Sequence, residues 1–429
     1  MRYAIVGTGS RHIMYREALV EHPIDPANAL VALCDSNPRR LALSASLIAD
    51  RDGGDVAVYG ADDFERMIAE RRPDTVIVTT PDDLHDVYIV RALRAGCDVI
   101  TEKPMTIDLA RLKGIVDAQR ETGRSVGVTF NYRYIPAHTQ LKDLLLSGAI
   151  GQVTAVDFRW SLDRVHGADY FRRWHRGKDR SGGLLVHKAT HHFDLVNWWV
   201  ASHPETITAL GSRRFYVPGT AAALGLAGHG ERCHTCPVGN RCAYRLDLDG
   251  DPELRSLYLE TEDADGYVRD RCVFSDEITI EDTMQVQVGY ANGVSMNYTL
   301  CAYSPWEGYE IAFHGTEGEL THRHVGVHGI FGGTRHEADD SATTTTLHRH
   351  GEEPRHVEVW SGEGDHGGGD PLMLDQLLNA AASEDPYRRR ASQVDGAWSI
   401  LTGIGSNVSM ERGQTVRVAD LLRDAGIHL

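Results

Sequence analysis

The tetrapeptide Thr101-Glu102-Lys103-Pro104 places a lysine directly after a short apolar strand pattern. In an open parallel sheet, ligands bind beyond the carboxyl ends of the strands. A lysine at such a position can donate a proton or a hydrogen bond to a reacting oxygen, and the following proline stiffens the turn that carries it. Lys103 is therefore a candidate catalytic residue.

A second polar segment, residues 187–194, reads His-Lys-Ala-Thr-His-His-Phe-Asp and is dense in groups that titrate. At the start of a helix, His187 and His191 lie four residues apart and share one face, whereas Lys188 and His192 share the next. Because imidazole can donate or accept a proton near neutral pH, we expect His187 and His191 to face a substrate. Lys188 is a candidate for a second proton donor or a substrate contact. His192 is more typical of a structural position.

A cysteine cluster follows later in the chain, where Cys233, Cys236 and Cys242 have the spacing C-x2-C-x5-C and Cys272 is a fourth candidate. Four thiolates suit a tetrahedral structural zinc ion. An iron–sulfur cluster and unmetallated thiols or disulfides remain alternatives, although in a cytosolic protein a metal is favoured over disulfides. Because four protein ligands leave no open coordination position, we expect a structural rather than a catalytic metal.

A glycine-rich loop, Gly7-Thr8-Gly9, follows the first strand pattern and precedes a helix. The first glycine permits a tight turn, and the second lets backbone amides approach a pyrophosphate at the helix N-terminus. His12 stands where the usual fingerprint has a third glycine, so the loop alone is a weak signal. Asp35, at the end of the second strand, can accept both ribose hydroxyls and repels a 2′-phosphate. We therefore expect NAD, while Arg40 close to it keeps NADP open.

The elements that must position these residues alternate between strands and helices over residues 1–130, which is typical of right-handed βαβ units. The strand patterns are Tyr3–Val6, Leu30–Cys34, Thr75–Thr79, Asp98–Thr101 and Ser125–Phe130. The helical patterns are Arg11–Val20, Pro38–Ala49, Asp62–Glu70, Asp83–Ala95 and Leu109–Glu121. We predict an α/β fold that opens with a Rossmann domain, a doubly wound parallel sheet.

Residues 131–429 have a different pattern, with longer alternating runs that indicate antiparallel strands covered on one face. This half is predicted to be an α+β domain. Residues 213–275 are interpreted as an insertion that carries the cysteines, and residues 332–368 as a polar surface loop. Helices are expected within residues 371–410, packing back on the domain.

Composition excludes some classes of partner. The net charge of −17 disfavours nucleic acid, which needs a basic surface. No run of 18 apolar residues predicts a membrane span. The first residues enter a strand without a leader pattern, so a cytoplasmic location is expected.

Taken together, these motifs resemble the glucose–fructose oxidoreductase/inositol dehydrogenase (Gfo/Idh/MocA) family over nearly the whole chain. The motifs that carry the resemblance are Gly7-Thr8-Gly9, Thr80-Pro81 with His85, Ala95-Gly96, Glu102-Lys103-Pro104, Asn131-Tyr132-Arg133-Tyr134, Gly182-Gly183 with His191 and Asp194, Gly315-Thr316-Glu317-Gly318, and the closing Ser406–Val416 pattern. The segment H-K-x-x-H-H-F-D and the four cysteines resemble one branch of the family. The resemblance implies a Rossmann domain followed by a domain with an open, mainly antiparallel sheet. It also implies an active site between them and a homodimer or homotetramer formed through that sheet.

The resemblance also assigns site residues. It makes Lys103 the catalytic lysine and His191 the general base, and it puts His187 where many members carry an aspartate. The cofactor would be held by Gly7, Thr8, Gly9, Ser10, Arg11, Asp35, Arg40, Thr80, Pro81, His85, Glu102, Lys103 and Asn131. The substrate would meet His187 and His191. Arg133 and Tyr134, which follow the last strand of the Rossmann domain, are candidates for a substrate or nicotinamide contact, with a structural role as the alternative. In the stretch before the last helices, Asp370 or His366 is a further candidate for a substrate contact.

The expected function is NAD-dependent hydride transfer between the nicotinamide and a hydroxyl of a sugar, glycoside or cyclitol, with Lys103 and His191 handling the proton. One alternative is a glycosidase that retains NAD through transient oxidation, elimination, hydration and re-reduction. A second alternative is a non-catalytic regulator that binds NAD. No nucleic acid or membrane partner is expected.

Overall fold

The first part of the chain forms a parallel sheet that presents the ends of its strands to one cleft. The computed structural model describes residues 1–50, 56–328, 336–337 and 343–429. The strands of this sheet are β1 (Arg2–Val6), β2 (Ala29–Asp35), β3 (Ala57–Gly60), β4 (Thr75–Val78), β5 (Asp98–Thr101) and β6 (Val126–Val128). Their spatial order, β3-β2-β1-β4-β5-β6, is that of a doubly wound Rossmann sheet and confirms the predicted fold.

Helices cover both faces of this sheet. They are α1 (His12–Arg16), which continues as a π-helical turn over Glu17–Glu21, α2 (Pro38–Ala49), α3 (Phe64–Arg71), α4 (His85–Arg94) and α5 (Leu109–Thr122). The side chain of Asn37 caps α2 by accepting from the backbone amides of Arg39 and Arg40, and Pro38 provides a preset first turn. Gly123 ends α5 at φ +66°, where a side chain would be strained.

A second, larger sheet follows and is mainly antiparallel. Its strands are β7 (Val153–Asp163), β8 (Pro204–Ser212), β9 (Thr283–Tyr290), β10 (Ser295–Ser304), β11 (Glu307–Gly315), β12 (Gly318–His328), β13 (His336–Glu337), β14 (Thr344–Arg349) and β15 (Arg355–Val357), with β16 (Ala391–Ser392) and β17 (Val416–Arg417) later in the chain. Within the described ranges the order is β15-β14-β12-β11-β7-β10-β9-β8-β17, and β13 pairs with β12. The pair β7–β10 is parallel, while the other pairs are antiparallel.

The helices of the second part lie against this sheet, and the chain then leads back to the first sheet. They are α6 (Pro136–Leu146), α7 (Arg164–Arg172), α8 (Lys178–Ser181), α9 (Leu184–His187), α10 (Thr190–Val200), α11 (Pro218–Ala223), α12 (Pro252–Leu254), α13 (Glu262–Asp265), α14 (Gly369–Leu378), α15 (Gln393–Arg412) and α16 (Val418–Ala425). The strand β16 pairs antiparallel with β6, so a segment near the C-terminus completes the first sheet. In the parts of the chain that the structure describes, no helix has the length and apolar character to cross a membrane.

One sequence prediction fails in the second part. Residues 332–368 were expected to form a polar surface loop, but β14 and β15 lie within that range at the edge of the large sheet. The alternation of exposed and buried residues in Thr344–Arg349 explains the error, because Thr345 and Leu347 are buried between neighbours although the segment is polar overall. Residues 332–335 and 338–342 lie outside the described residues.

Candidate active site

A cleft of about 790 Å³ lies at the carboxyl ends of the parallel strands, and the second domain closes its other side. The glycine-rich loop lines one end of the cleft. Lys103, His187, Lys188 and His191 line the other end, so the structure brings the predicted catalytic residues into one cavity with the loop.

The glycine-rich loop has the shape that a dinucleotide requires. Gly7 has φ +95°, and a Cβ there would lie 2.8 Å from the backbone of Thr79 and Thr80. A Cβ on Gly9 would meet only the hydroxyl of Tyr258, at 3.7 Å. The second glycine thus leaves the approach to the helix N-terminus open, which fits a pyrophosphate.

The carboxylate of Asp35 lies beside this loop and lines the cleft. It accepts hydrogen bonds from the hydroxyl of Thr8 at 2.9 Å and from the backbone amide of Asn37 at 2.7 Å. The guanidinium of Arg40 lies 3.8 Å from Asp35 and is hydrogen-bonded to Asp265 of the insertion. Asp35 is therefore fixed in orientation at the position where the ribose is expected.

Lys103 follows β5 and points into the cleft. Its Nζ donates to the backbone carbonyl of His187 at 3.4 Å. Burial lowers the pKa of Lys103 to about 8, against the opposing charges of Asp82 and Glu102. An ammonium group with a pKa this close to neutrality can both donate and recover a proton under ordinary conditions.

Asp82 is a site residue that the sequence analysis missed. Its Oδ2 lies 2.5 Å from Nδ1 of His187, and both side chains are almost fully buried. Burial raises the pKa of Asp82, while Lys103 opposes that rise, and burial lowers the pKa of His187. At position 187 the resemblance implied an aspartate, and here a carboxylate from another element lies beside the histidine. Its signal in the sequence was an acidic residue directly after Thr80-Pro81, in the segment that follows β4.

His191 lies in the first turn of α10 with its ring stacked on Tyr132, at 4.1 Å between ring centroids and 11° between planes. Burial lowers the pKa of His191 well below its ordinary value, and the charges of Lys103 and Lys188 add to this effect. Its Nδ1 is buried and finds no hydrogen-bond partner in the described part of the protein. A neutral imidazole with a free nitrogen can accept a proton.

Lys188 faces the same cavity from the turn between α9 and α10. Its Nζ donates to the hydroxyl of Tyr132 at 3.0 Å and lies 5.1 Å from the ring of Trp160. Burial opposes its charge, but the nearby phenol groups of Tyr132 and Tyr170 raise the pKa of Lys188, so it stays protonated. His192 stacks on Trp160 at 3.9 Å and does not line the cleft, which agrees with a structural position.

Of the other residues predicted to bind the cofactor, Thr8 does not line the cleft; its hydroxyl donates to Asp35 instead. Those that line the cleft are Gly7, Gly9, Ser10, Arg11, Thr80, Pro81, His85, Glu102 and Asn131. Several of them also hold one another: Arg11 pairs with Glu102 at 2.7 Å, and Asn131 donates to Asp370 at 2.6 Å. His85 contacts the backbone carbonyls of Thr80 and Pro104, so it braces the turn that carries Lys103.

The structure places the side chains of Arg133 and Tyr134, two candidates for a substrate contact, in the interior. Arg133 is 3% exposed and forms a two-pronged ion pair with Asp194, at 2.6 and 2.8 Å. Tyr134 is 2% exposed and packs under the guanidinium of Arg389. Neither side chain lines the cleft, because the turn after β6 directs both into the interior. His366, by contrast, does line it.

The insertion contributes to the cleft in a way the sequence did not indicate. The hydroxyl of Tyr258 accepts from the backbone amide of Ser10 at 3.1 Å, and Asn37 donates to the carbonyl of Thr261 at 3.0 Å. Residues 265–268 and Arg271 also line the cavity. The insertion therefore contacts the glycine-rich loop and forms part of the wall of the cleft.

The structure does not support the predicted zinc centre. Cys233, Cys236, Cys242 and Cys272 are free thiols that border one small cavity, so the disulfide alternative is not formed either. Among the residues described, no group of three or more His, Cys, Asp or Glu side chains is arranged to hold a metal ion.

Two relatives of known sequence are similar to this chain. Protein YteT of Bacillus subtilis (strain 168) is 35% identical over 408 residues, which are 92% of each chain. Inositol 2-dehydrogenase of Rubrobacter xylanophilus is 29% identical over 213 residues, which are 48% of this chain and 54% of the relative. Among solved structures, the aldose-aldose oxidoreductase from Caulobacter crescentus complexed with glycerol has a TM-score of 0.62 at 18% identity, covering 97% of this chain and 99% of that one.

The family itself is shown by two matches that together span most of the sequence. Residues 1–130 match the NAD-binding Rossmann fold of the oxidoreductase family, and residues 142–418 match its C-terminal alpha/beta domain. With Lys103 and the glycine-rich loop lining one cleft between the two sheets, the chain belongs to the Gfo/Idh/MocA family of NAD-binding oxidoreductases.

Proposed function

We propose that this protein is an NAD-dependent dehydrogenase that transfers a hydride between the nicotinamide and a hydroxyl of a sugar, glycoside or cyclitol. The observation that carries the proposal is that Lys103 and His191 line the same cleft as the Gly7 loop. The inositol dehydrogenase among the relatives supports a polyhydroxylated ring as substrate.

The cofactor is proposed to be NAD rather than NADP. A carboxylate at the position of Asp35 accepts ribose hydroxyls and repels a 2′-phosphate. Arg40, the cation that would attract that phosphate, is already paired with Asp265. The charge that favours NADP is thus neutralised within the protein.

Residues of the chain remove the proton from the reacting hydroxyl, and NAD, when bound, accepts the hydride. His191 is neutral because of its lowered pKa, so it accepts the proton of the reacting hydroxyl. Lys103 donates a hydrogen bond to the same oxygen and stabilises the charge that develops on it. The stacking of Tyr132 on His191 and the hydrogen bond from Lys188 to Tyr132 fix the orientation of the base.

A panel of sugars, glycosides and cyclitols assayed with NAD and with NADP tests this proposal. We expect NADH to accumulate in step with the oxidised product for at least one compound, with NAD preferred over NADP. Failure of every compound in the panel to reduce either cofactor would overturn the proposal.

A second candidate is the NAD-retaining glycosidase. The cleft offers acid–base groups beyond the pair that a dehydrogenase needs, in His187 with Asp82 and in Lys188. Elimination of an aglycone requires such an additional group. Release of the aglycone from a glycoside without net NADH would favour this candidate, whereas stoichiometric NADH favours the dehydrogenase.

A further inference from the structure

The cleft carries a surplus of positive charge in a chain that is strongly acidic. Its lining includes eight Lys or Arg and five Asp or Glu residues. The whole chain has 44 Lys and Arg against 61 Asp and Glu. All five carboxylates of the lining contact other groups of the protein. Asp82 contacts His187, Glu102 contacts Arg11, Asp169 contacts Arg173, Asp265 contacts Arg40, and Asp35 accepts from Thr8 and Asn37.

Arg176 is a lining cation with two guanidinium nitrogens that make no hydrogen bond within the described residues. It is 8% exposed, and its Nε and Nη2 are buried without any hydrogen-bond partner in the described part of the chain. Its nearest carboxylate, that of Glu277, lies 3.9 Å away on a side chain that is 74% exposed. That distance is too long for a hydrogen bond, and water screens an exposed charge.

A second arginine stands beside it. Arg271, from the insertion, lines the same cavity, and it joins burial in lowering the pKa of Arg176. Two guanidinium groups placed together at the edge of a cavity repel each other unless an anion lies between them. A buried, unpartnered donor is costly to a fold, so such a pair is typical of a site that a ligand completes.

The segment that carries Arg176 passes close to the proposed catalytic residues. His175 precedes Arg176 in the chain, and its ring lies 4.1 Å from the ring of His187, whose carbonyl accepts from Lys103. This segment therefore adjoins the residues that are expected to meet the substrate.

We propose that Arg176 and Arg271 form an oxyanion site that binds a carboxylate or phosphate group of the substrate, so that the preferred substrate is an acidic sugar. This inference deepens the proposed function and rests on it for the identity of the ligand as a sugar. Guanidinium groups present paired N–H donors that match the geometry of either oxyanion.

Direct binding measurements test the site without requiring turnover. Calorimetric titration of the NAD-loaded protein with D-glucuronate, D-glucose 6-phosphate and neutral D-glucose should show the anionic sugars binding at least about tenfold more tightly. If D-glucuronate binds more tightly than D-glucose 6-phosphate, the site prefers a carboxylate; the reverse order indicates a phosphate. Equal affinity for the neutral and both anionic sugars would overturn the proposal.

Variants assign the effect to the pair. In Arg176→Met and in Arg271→Met, the advantage of the anionic sugar should disappear while the affinity for D-glucose stays. Arg176→Lys keeps a positive charge and should retain part of the tighter binding of the anionic sugar. This result would show that the loss in Arg176→Met does not come from misfolding. The matched control is Arg94→Met, which removes an exposed arginine paired with Glu121 outside the cleft.

Two further outcomes are decisive. If the Arg176 and Arg271 variants weakened the binding of NAD instead of the anionic sugar, the pair would belong to the cofactor and the proposal would fail. If the acidic sugars bound through the pair but no sugar reduced NAD, the oxyanion site would stand and the proposed dehydrogenase activity would fail.

Discussion

Lys103 and His191 share a cleft in which burial favours the uncharged form of both groups. For His191 this means a neutral imidazole already below neutral pH. For Lys103 it means an ammonium group that loses its proton at about pH 8. His191 is neutral and Lys103 is protonated only between the low pKa of His191 and the pKa of Lys103, about 8.

The pH dependence of the initial rate of alcohol oxidation follows from this. Because Lys103 is needed in its protonated form, kcat/KM should be level through neutral pH and fall as the pH rises through about 8. No loss should occur near pH 6.5, since the pKa of His191 lies well below that value. A rate that rose continuously from pH 7 to pH 10, measured at saturating NAD, would contradict the assigned role of Lys103.

Asp82→Asn should move this alkaline limit to lower pH. Asp82 is the strongest charge that holds up the pKa of Lys103, so its removal lowers that pKa further. The fall in kcat/KM should then begin closer to neutrality, while activity at lower pH is largely kept. Asp83→Asn is the matched control, because that neighbouring carboxylate pairs with Arg180. An unchanged alkaline limit in Asp82→Asn would refute the electrostatic coupling.

What the sequence could predict at this scale depended on local spacing. Lys103, Asp35 and the histidines were found because each stands at the end of a strand or on one helical turn. Asp82 was missed because its partner His187 lies 105 residues away. For Arg133 the sequence left a substrate contact and a structural role open, because the backbone turn that buries it against Asp194 is set by tertiary packing.

At the scale of elements, Gly7 and Gly9 have different roles in the turn between β1 and α1. Gly7 has positive φ and no room for a Cβ, whereas Gly9 has room on the protein side and faces the expected pyrophosphate. The helical pattern predicted to start at Pro38 is confirmed as α2, and the side chain of Asn37 caps it there. The short strand β3 gave no such signal, and β14 was hidden by its polar composition.

Alanine variants separate these two roles. Gly7→Ala should destabilise the protein by about 1–3 kcal/mol, since the new Cβ meets the backbone of Thr79. Gly9→Ala should leave the melting temperature nearly unchanged but weaken NAD binding, because its methyl group projects where the cofactor backbone must approach. Thermal unfolding with and without NAD distinguishes them. Wild-type NAD affinity in Gly9→Ala would show that the loop does not hold the pyrophosphate.

At the scale of the whole molecule, buried ion pairs connect segments that are distant in the chain. Arg133 follows β6, Asp194 lies in α10, and Asp395 lies in the first turn of α15, where it also contacts Arg133 at 3.0 Å. The same C-terminal region supplies β16 to the parallel sheet. The two sheets are thus fixed to each other around the cleft.

Arg133→Met should destabilise the protein by about 3–5 kcal/mol, because it leaves Asp194 buried without its counter-charge. The double variant Arg133→Met, Asp194→Leu should recover a large part of that loss, since the carboxylate that remains, Asp395, is 38% exposed and still accepts from the backbone amide of Ser392. Equilibrium unfolding in urea measures both. If Arg133→Met kept full stability and raised only KM for the substrate, the residue would act in the cleft after all.

The most direct test of the central claim is the rate of NADH formation by Lys103→Met and His191→Asn with the best substrate of the panel. We predict that each variant loses about 100-fold or more in kcat while NAD affinity and melting temperature stay close to those of the wild type. Rates within about twofold of the wild type in both variants would contradict the assignment of this cleft as the active site of an NAD-dependent dehydrogenase.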